Sequence, residues 1–290
     1  MSRKRFWTNY LYILPAIFFM VVFIYYSIVY TFQISLFDWN GIGANRLFVG
    51  LANYKQLLYD RIFYRALGHT GIFIALTLSI QMILGLAIGI FLKSRVKFKT
   101  LYKVVFFLPV VMAQSVVAYV FRRLFDAGSG EFNAFFEWLG WTALSEQTWL
   151  ADPDLALYCL ILINVWQSTG LTFILYFAAL SLIEDDLYEA ARIDGANLWQ
   201  MVTRITVPLL RSTHFSIVIL SVIGSLKYFD VVYLVTGGGP GRSTEFLATY
   251  IFKKAILEYN AGYASALSIV LLALALSLTL VQMWAYRQRS

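Results

Sequence analysis

Residues 155–183, LALYCLILINVWQSTGLTFILYFAALSLI, contain no charged residue, whereas residues 184–208, EDDLYEAARIDGANLWQMVTRITVP, follow with five acids and two bases. Twenty residues of α-helix span about 30 Å, which is the thickness of the hydrocarbon core of a bilayer. The first stretch therefore predicts a helix that spans a membrane. The second stretch carries too many charges to lie in lipid and predicts a segment in water at the end of that helix.

The same contrast extends over the whole chain, whose 290 residues are 60% hydrophobic and only 13% charged. Soluble proteins carry about 25% charged residues. We therefore predict an all-α membrane protein, with one transmembrane domain over residues 1–290 and six spans. The fifth span reaches full length only by continuing past Lys227 and Asp230. The predicted spans cover residues 10–37, 70–92, 103–122, 155–183, 212–236 and 260–286.

Basic residues predict the orientation of these spans. Thirteen lie in the two termini and in the connections after the second and fourth spans, and nine lie in the other three connections. Connections rich in Lys and Arg stay in the cytoplasm, so both termini are predicted to be cytoplasmic. This explains most of the net charge of +7 without a nucleic-acid partner. The thirteen are Arg3, Lys4, Arg5, Lys93, Arg95, Lys97, Lys99, Lys103, Arg192, Arg204, Arg211, Arg287 and Arg289.

Catalytic and metal-binding patterns are missing from the sequence. Cys159 is the single cysteine, and His69 and His214 are far apart, so neither a disulfide nor a metal site is expected. Residues 237–244 are rich in glycine but lack the lysine of a P-loop, and no H-E-x-x-H, G-x-S-x-G or C-x-x-C occurs. We expect no catalytic residue, metal or bound cofactor in this chain.

Two short helices are predicted in the charged loop, which we define as residues 184–211. Asp185 or Asp186 is a suitable N-cap for the first helix, and Gly195 can adopt the left-handed conformation that ends it. Asn197, with Gln200 three residues later, predicts a capping box at the start of the second helix.

Pro208 marks the change of direction from the charged loop into the fifth span. These features alone are also compatible with a loop that is only a structural connector. A separate amphipathic helix is predicted over residues 245–258, where apolar residues repeat at helical spacing opposite Lys253, Lys254 and Glu258. We expect this helix to lie at the extracytoplasmic membrane surface.

One pattern in the charged loop resembles the EAA signature of permease subunits of binding-protein-dependent ABC importers. It comprises Glu189-Ala190-Ala191, three residues, Gly195, nine residues, Ile205, one residue, and Val207-Pro208, with Val207 standing where the pattern usually has Leu. The resemblance implies a type I importer fold in which this loop carries a coupling helix that docks on an ATPase. The residues implied for coupling are Glu189, Ala190, Ala191, Asp194, Gly195, Ala196, Asn197, Leu198 and Trp199.

A second segment, Tyr228–Glu245 with its Gly-Gly-Gly-Pro-Gly run, is similar to the carbohydrate-uptake branch, with its maltose-type and glycerol-phosphate-type permeases. This resemblance implies a sugar or oligosaccharide as substrate. Serines in membrane helices also serve simply to let helices pack closely, so this role stays open for them. The residues implied for the substrate pathway are Trp166, Gln167, Ser168, Leu171, Ser221, Ser225 and Tyr228.

Partners follow from the same resemblance. They are a second permease, two copies of an ABC ATPase that bind ATP and Mg²⁺, and an extracytoplasmic substrate-binding protein, at a bacterial or archaeal plasma membrane. An ion-coupled secondary transporter is the alternative, because it too would be an all-helical membrane protein. Such a transporter usually needs titratable groups at membrane depth, where this chain offers only Lys227 and Asp230.

Overall fold

A computed structural model of the protein describes residues 3–94 and 96–288, with side chains from residue 12 onwards. Arg95 and Arg289, which contribute to the predicted orientation, lie outside the described residues. Within the described part, helices dominate, and the strands are the antiparallel pair β1 (Phe37–Asp38) and β2 (Leu47–Phe48). The prediction of an all-α chain is confirmed.

The helices have the following bounds. In chain order they are α1 (Arg3–Met20), α2 (Tyr26–Ile34), α3 (Ala52–Leu58), α4 (Arg61–Lys93), α5 (Lys99–Val111), α6 (Gln114–Leu124), α7 (Glu131–Trp138), α8 (Thr142–Ser145), α9 (Ala156–Leu180), α10 (Asp185–Ile193), α11 (Leu198–Met201), α12 (Val207–Leu209), α13 (Arg211–Leu226), α14 (Asp230–Val235), α15 (Leu247–Phe252) and α16 (Ala261–Arg287). Three π-helical turns continue the helices before them, at Val21–Tyr25, Val202–Thr206 and Lys253–Leu257.

Four helical segments of the described chain are long and apolar enough to cross a membrane, and two bent helix pairs raise the number to six if each pair is one span. The four segments are Tyr12–Ile34, Arg61–Lys93, Ala156–Leu180 and Ala261–Arg287. The pairs are Lys99–Val111 with Gln114–Leu124, and Leu198–Leu209 with Arg211–Leu226.

The predicted third span is not one straight helix. Its two parts, α5 and α6, meet at 96°, because Met112 has an extended backbone with ψ of 139°. Pro109 lies inside the last turn of α5, but a proline weakens the helical turn before it rather than the one after it. The chain turns at Met112 and begins a new helix at Gln114.

The predicted fifth span is also interrupted. Helix α13 ends at Leu226 and a new helix, α14, begins at Asp230. The sequence predicted Lys227 and Asp230 within one continuous span. They instead lie on either side of this break, and both side chains are exposed. Among the described residues no ion pair joins the two side chains. Charged groups are costly in lipid, and these two charged residues lie where the helix is interrupted rather than inside a continuous span.

The chain divides into two compact units, residues 1–63 with 250–277 and residues 64–249 with 278–290. In the second unit α9 is the most buried of the long helices, with Leu160, Ile163, Phe173 and Tyr176 fully enclosed. Gly170 lets α9 approach α5 closely, because a Cβ at this position would collide with the Phe106 carbonyl oxygen. The single domain over residues 1–290 stays a prediction.

The first unit contains a polar cluster around Asp60. Its carboxylate accepts hydrogen bonds from the Tyr250 hydroxyl, from the Tyr263 hydroxyl at 2.6 Å and from the Ile62 N–H at 2.8 Å. Partial burial raises the pKa of Asp60, but these hydrogen bonds outweigh it and hold the pKa below its ordinary value. A helix forms over the predicted amphipathic segment, and its Tyr250 is buried in this cluster.

Candidate functional site

The first helix of the charged loop, α10, begins one residue earlier than its sequence suggests. Glu184 has an extended backbone with ψ of 136° and is the N-cap, with no side-chain capping bond. Asp185 and Asp186, predicted as N-caps, instead lie in the first turn of the helix. Their carboxylates still stabilise the helix there, because the positive end of the helix dipole lies at its N-terminus.

The turn after α10 is a Schellman motif centred on Gly195. Gly195 has φ of +79°, and its N–H donates to the Arg192 carbonyl at 3.1 Å. The next N–H, of Ala196, reaches back to the Ala191 carbonyl at 2.9 Å. This pair of bonds satisfies the last carbonyls of a helix, so the predicted role of Gly195 as a left-handed helix end is confirmed.

The second helix of the charged loop starts with the predicted capping box. The Asn197 side chain accepts from the Gln200 N–H at 2.9 Å, and the Gln200 side chain accepts from the Asn197 N–H at 2.8 Å. The helical path then runs to Leu209 and bends by 69° into α13. The bend follows Pro208 by two residues, as the sequence predicted.

The turn between the two helices carries an exposed apolar surface. Ile193 is 87% exposed, and Leu198 and Trp199 are each 75% exposed. We call these three side chains the turn patch. Exposed apolar patches of this kind mark interaction sites. Of the residues implied for coupling, Ala191 and Ala196 are partly buried and the others are exposed, namely Glu189, Ala190, Asp194, Gly195, Asn197, Leu198 and Trp199.

A second candidate site is a cavity of 240 Å³, which we call the polar cavity. It brings together five of the seven residues implied for the substrate pathway, namely Ser168, Leu171, Ser221, Ser225 and Tyr228. Its remaining lining residues are Gln81, Gln114, Asn164, Thr172, Leu220 and Gly224. None of the residues that line it is charged, and all of the polar ones carry an amide or a hydroxyl group.

Trp166 and Gln167 do not line the polar cavity. Trp166 is 41% exposed and packs edge-on against Phe121, with ring centroids 5.2 Å apart. Gln167 is buried, and its Nε2 lies 3.5 Å from the Met112 carbonyl at the bend between α5 and α6. The Oε1 atom of Gln167 is buried without a hydrogen-bond partner.

Two polar groups give the polar cavity its chemistry. The Gln81 side chain, on α4, donates to the Asn164 side-chain oxygen on α9 at 2.8 Å. The Tyr228 ring stacks on Phe73 with a centroid distance of 4.9 Å. Its hydroxyl is buried near Asn164 but makes no hydrogen bond of good geometry. A buried hydroxyl without a good hydrogen bond is costly, so a polar ligand that reached this group would supply the bond it lacks.

Sequence reasoning missed four of the polar residues that line the cavity. Three of them, Gln81, Asn164 and Thr172, lie within long uncharged stretches, and Gln114 begins the helix after the bend. The useful signal was present, because amide side chains inside membrane helices are rare and often functional. What the sequence lacked was the bend at Met112 that brings Gln114 to α9.

Comparison with known proteins agrees with this architecture. Residues 81–288 match the sequence profile of the family described as "Binding-protein-dependent transport system inner membrane component". A probable ABC transporter permease, PH1215 of Pyrococcus horikoshii, is 35% identical over 278 residues, which cover 96% of this chain and 95% of the relative. The trehalose/maltose transport system permease MalF of Thermococcus litoralis is 34% identical over 284 residues, covering 97% and 94%.

A solved structure shares the fold. It is the crystal structure of a bacterial ABC transporter involved in the import of the acidic polysaccharide alginate. One of its chains superposes with a TM-score of 0.84 at 23% sequence identity, covering 98% of this chain and 96% of that chain. The chain belongs to the family of inner membrane components of binding-protein-dependent transport systems. It is an ABC importer permease of the predicted type I fold, and not an ion-coupled secondary transporter.

Proposed function

We propose that this permease moves a sugar or oligosaccharide from an extracytoplasmic binding protein into the cytoplasm. The observation that carries the proposal is the polar cavity, whose amides and hydroxyls suit the hydroxyl groups of an uncharged sugar. Gln81 orients Asn164, and the buried Tyr228 hydroxyl, which lacks a hydrogen bond of good geometry, would bond a sugar hydroxyl when the cavity opens. The trehalose/maltose relative supports the same substrate class.

A second permease would complete this site. The polar cavity has 240 Å³, whereas ligand pockets usually measure about 300–1,000 Å³. A cavity below that range fits one half of a translocation pathway, with the other half supplied by a partner subunit. Ser168, Ser221 and Ser225 line the half that belongs to this chain. Trp166 and Gln167 lie outside it.

The charged loop would dock on one of two partner ATPase subunits, which bind ATP and Mg²⁺. Three exposed apolar side chains at a rigid turn suit a groove on another protein. Glu189 is exposed on the same loop and is proposed to pair with a basic residue of the ATPase. Closure of the ATPase dimer would then move the loop and open the pathway alternately to the two sides of the membrane.

This arrangement requires the charged loop and both termini to lie in the cytoplasm. The basic connections support that orientation, in a bacterial or archaeal plasma membrane. Neither a cofactor nor a metal is proposed for this chain, and hydrolysis is assigned to its partners.

Reconstitution tests the proposal. The permease is purified alone, and also together with its second permease and ATPase in proteoliposomes, with binding protein and a panel of labelled sugars outside. We expect no hydrolysis by the permease alone. The full complex should show ATP-driven sugar uptake that is stimulated by the binding protein. A full complex in which the ATPase Walker lysine is replaced is the matched control.

Two outcomes would contradict the proposal. The first is nucleotide hydrolysis by the isolated chain, which would assign ATPase activity to it. The second is a full complex that hydrolyses ATP in response to the binding protein and a non-sugar solute while every sugar in the panel fails. That result would retain the importer and overturn the substrate class.

A further inference from the structure

Lys93, the last residue of α4, makes three contacts with one short segment, residues 183–188, where the chain passes from α9 into the charged loop. Its ammonium group donates to the Ile183 carbonyl at 3.0 Å and lies 3.2 Å from an Asp185 carboxylate oxygen. It also lies 4.8 Å from the centre of the Tyr188 ring. The Lys93 side chain is only 23% exposed, so most of its surface is covered by neighbouring residues.

Beyond these contacts, α10 is separated from α4 and α9 by a cavity. This cavity has a volume of 520 Å³ and is lined by Lys93 together with Ile90, Leu180, Arg192 and Met201, among others. The Tyr188 hydroxyl bonds the Thr206 hydroxyl across this space at 3.0 Å. That bond joins α10 to the second half of the same loop. Lys93 therefore holds the loop to α4, and Tyr188 braces the loop internally.

An ion pair alone would contribute little here, because the Asp185 side chain is 80% exposed. The hydrogen bond to the Ile183 carbonyl matters more. This carbonyl lies just after the end of α9, where no following helical turn supplies an N–H donor, so Lys93 provides its hydrogen bond. The charge over the Tyr188 ring adds a third attraction. All three contacts end on one amine, so removing that amine releases them together.

We propose that Lys93 is a positioning residue that transmits movement of the charged loop to α4. The proposal rests on the coupling role given to this loop under the proposed function. Gln81 lies twelve residues before Lys93 on α4, about 18 Å along the helix axis. Because Gln81 holds Asn164, a displacement of α4 at Lys93 reaches the polar cavity directly. Movement of the charged loop thereby changes how tightly the polar cavity binds the substrate.

The test compares Lys93→Met, which keeps the length and loses the charge, with Lys93→Arg, which keeps the charge. Lys97→Met is the matched control, because Lys97 is exposed on the same connection. Each variant is assembled with the second permease, ATPase and binding protein in proteoliposomes. Three quantities are measured: ATPase co-purification, binding-protein-stimulated hydrolysis, and sugar transported per ATP hydrolysed.

Lys93→Met should assemble and hydrolyse ATP, with sugar transported per ATP falling by about five-fold or more, the lower end of usual coupling effects. Lys93→Arg should restore the ratio, and Lys97→Met should leave it unchanged. Asp185→Asn, which keeps the bond to the Ile183 carbonyl, should lower it by less than Lys93→Met. This milder variant keeps the proposal testable if Lys93→Met fails to fold.

Two results would overturn the role of Lys93. One is an unchanged transport ratio in Lys93→Met. The other is loss of ATPase association in both Lys93 variants and in Asp185→Asn, which would make the contact part of folding or docking. Failure of the proposed function is recognised separately, because the wild-type complex itself would then show no ATP-driven sugar uptake.

Discussion

The charged loop and the polar cavity differ in the groups that they leave without a partner: the loop exposes apolar side chains, and the cavity encloses polar ones. At its turn, the charged loop satisfies its backbone with a Schellman motif and a capping box, yet it exposes Ile193, Leu198 and Trp199. The polar cavity lies among apolar helices, yet it encloses amides and a hydroxyl without a good partner. The turn patch therefore leaves apolar side chains in water, where a protein partner would cover them. The polar cavity leaves a buried hydroxyl without a good hydrogen bond, which a polar ligand would supply.

This difference separates two kinds of recognition. Large apolar side chains on a rigid turn gain free energy when another protein removes them from water. Enclosed hydrogen-bonding groups are stabilised when a small polar molecule supplies the missing hydrogen-bond partner. The turn patch is therefore suited to a protein and the polar cavity to a sugar. The two regions should respond differently to substitution.

The largest effect is expected for Gly195→Val. Gly195 has φ of +79° with open space around it, so the cost is backbone strain of about 1–2 kcal/mol and distortion of the turn. Strain of this size corresponds to a roughly ten-fold loss of affinity, so co-purification of the ATPase should fall by that factor or more. Gly140→Val is the matched control, because Gly140 has φ of +75° and equally open surroundings in the segment between α7 and α8. Equal loss in both variants would contradict a special role for the charged loop.

Glu189→Lys should have the next largest effect. The side chain is exposed, so the fold should be retained, while a positive charge would face the proposed basic residue of the ATPase. Association should weaken by about ten-fold at low salt and by less at high salt. Glu146→Lys, an exposed acid outside the charged loop, serves as control. Salt-independent association in Glu189→Lys would exclude the ion pair.

Tyr228→Phe should lower transport and leave the fold intact. The change removes a buried hydroxyl without a good partner and keeps the ring stacked on Phe73, so thermal stability should stay the same or rise slightly. Loss of one hydrogen bond to a sugar costs about 1 kcal/mol, a roughly five-fold loss in transport at low substrate. Tyr119→Phe, at a position 76% exposed, is the control. A drop in melting temperature would mean that the hydroxyl is structural.

Gln167→Ala should have the smallest effect. Its side chain faces the bend at Met112 through a long contact of 3.5 Å and does not line the polar cavity. We expect transport to fall by no more than about two-fold, since a weak hydrogen bond contributes little. A loss as large as that of Tyr228→Phe would extend the substrate pathway to this face of α9.

Much of the architecture could be predicted because it depends on local chemistry. Gly195, Asn197 and Gln200 each act within a few residues along the chain, so the turn and the capping box were readable from spacing alone. Pro208 likewise acts close to its own position. The N-cap at Glu184 was missed because several acids follow one another there, and all of them are compatible with a helix start.

The polar cavity could be predicted only in part. Ser168, Ser221, Ser225 and Tyr228 were proposed from resemblance to permeases, but the same reasoning included Gln167, which packs elsewhere. Gln81 was missed because its role depends on Asn164, a residue 83 positions away. Hydrogen bonds between distant helices leave no periodic pattern in a sequence.

By itself the sequence determined the membrane class, the helical content and the local geometry of the charged loop, because hydropathy and capping act over short distances. The tertiary structure alone decided where α5 and α6 bend, which side chains meet in the polar cavity, and that Lys93 contacts Ile183, Asp185 and Tyr188. Those features depend on contacts between helices far apart in the chain. Each such contact depends on how the helices pack, which no local window of residues specifies.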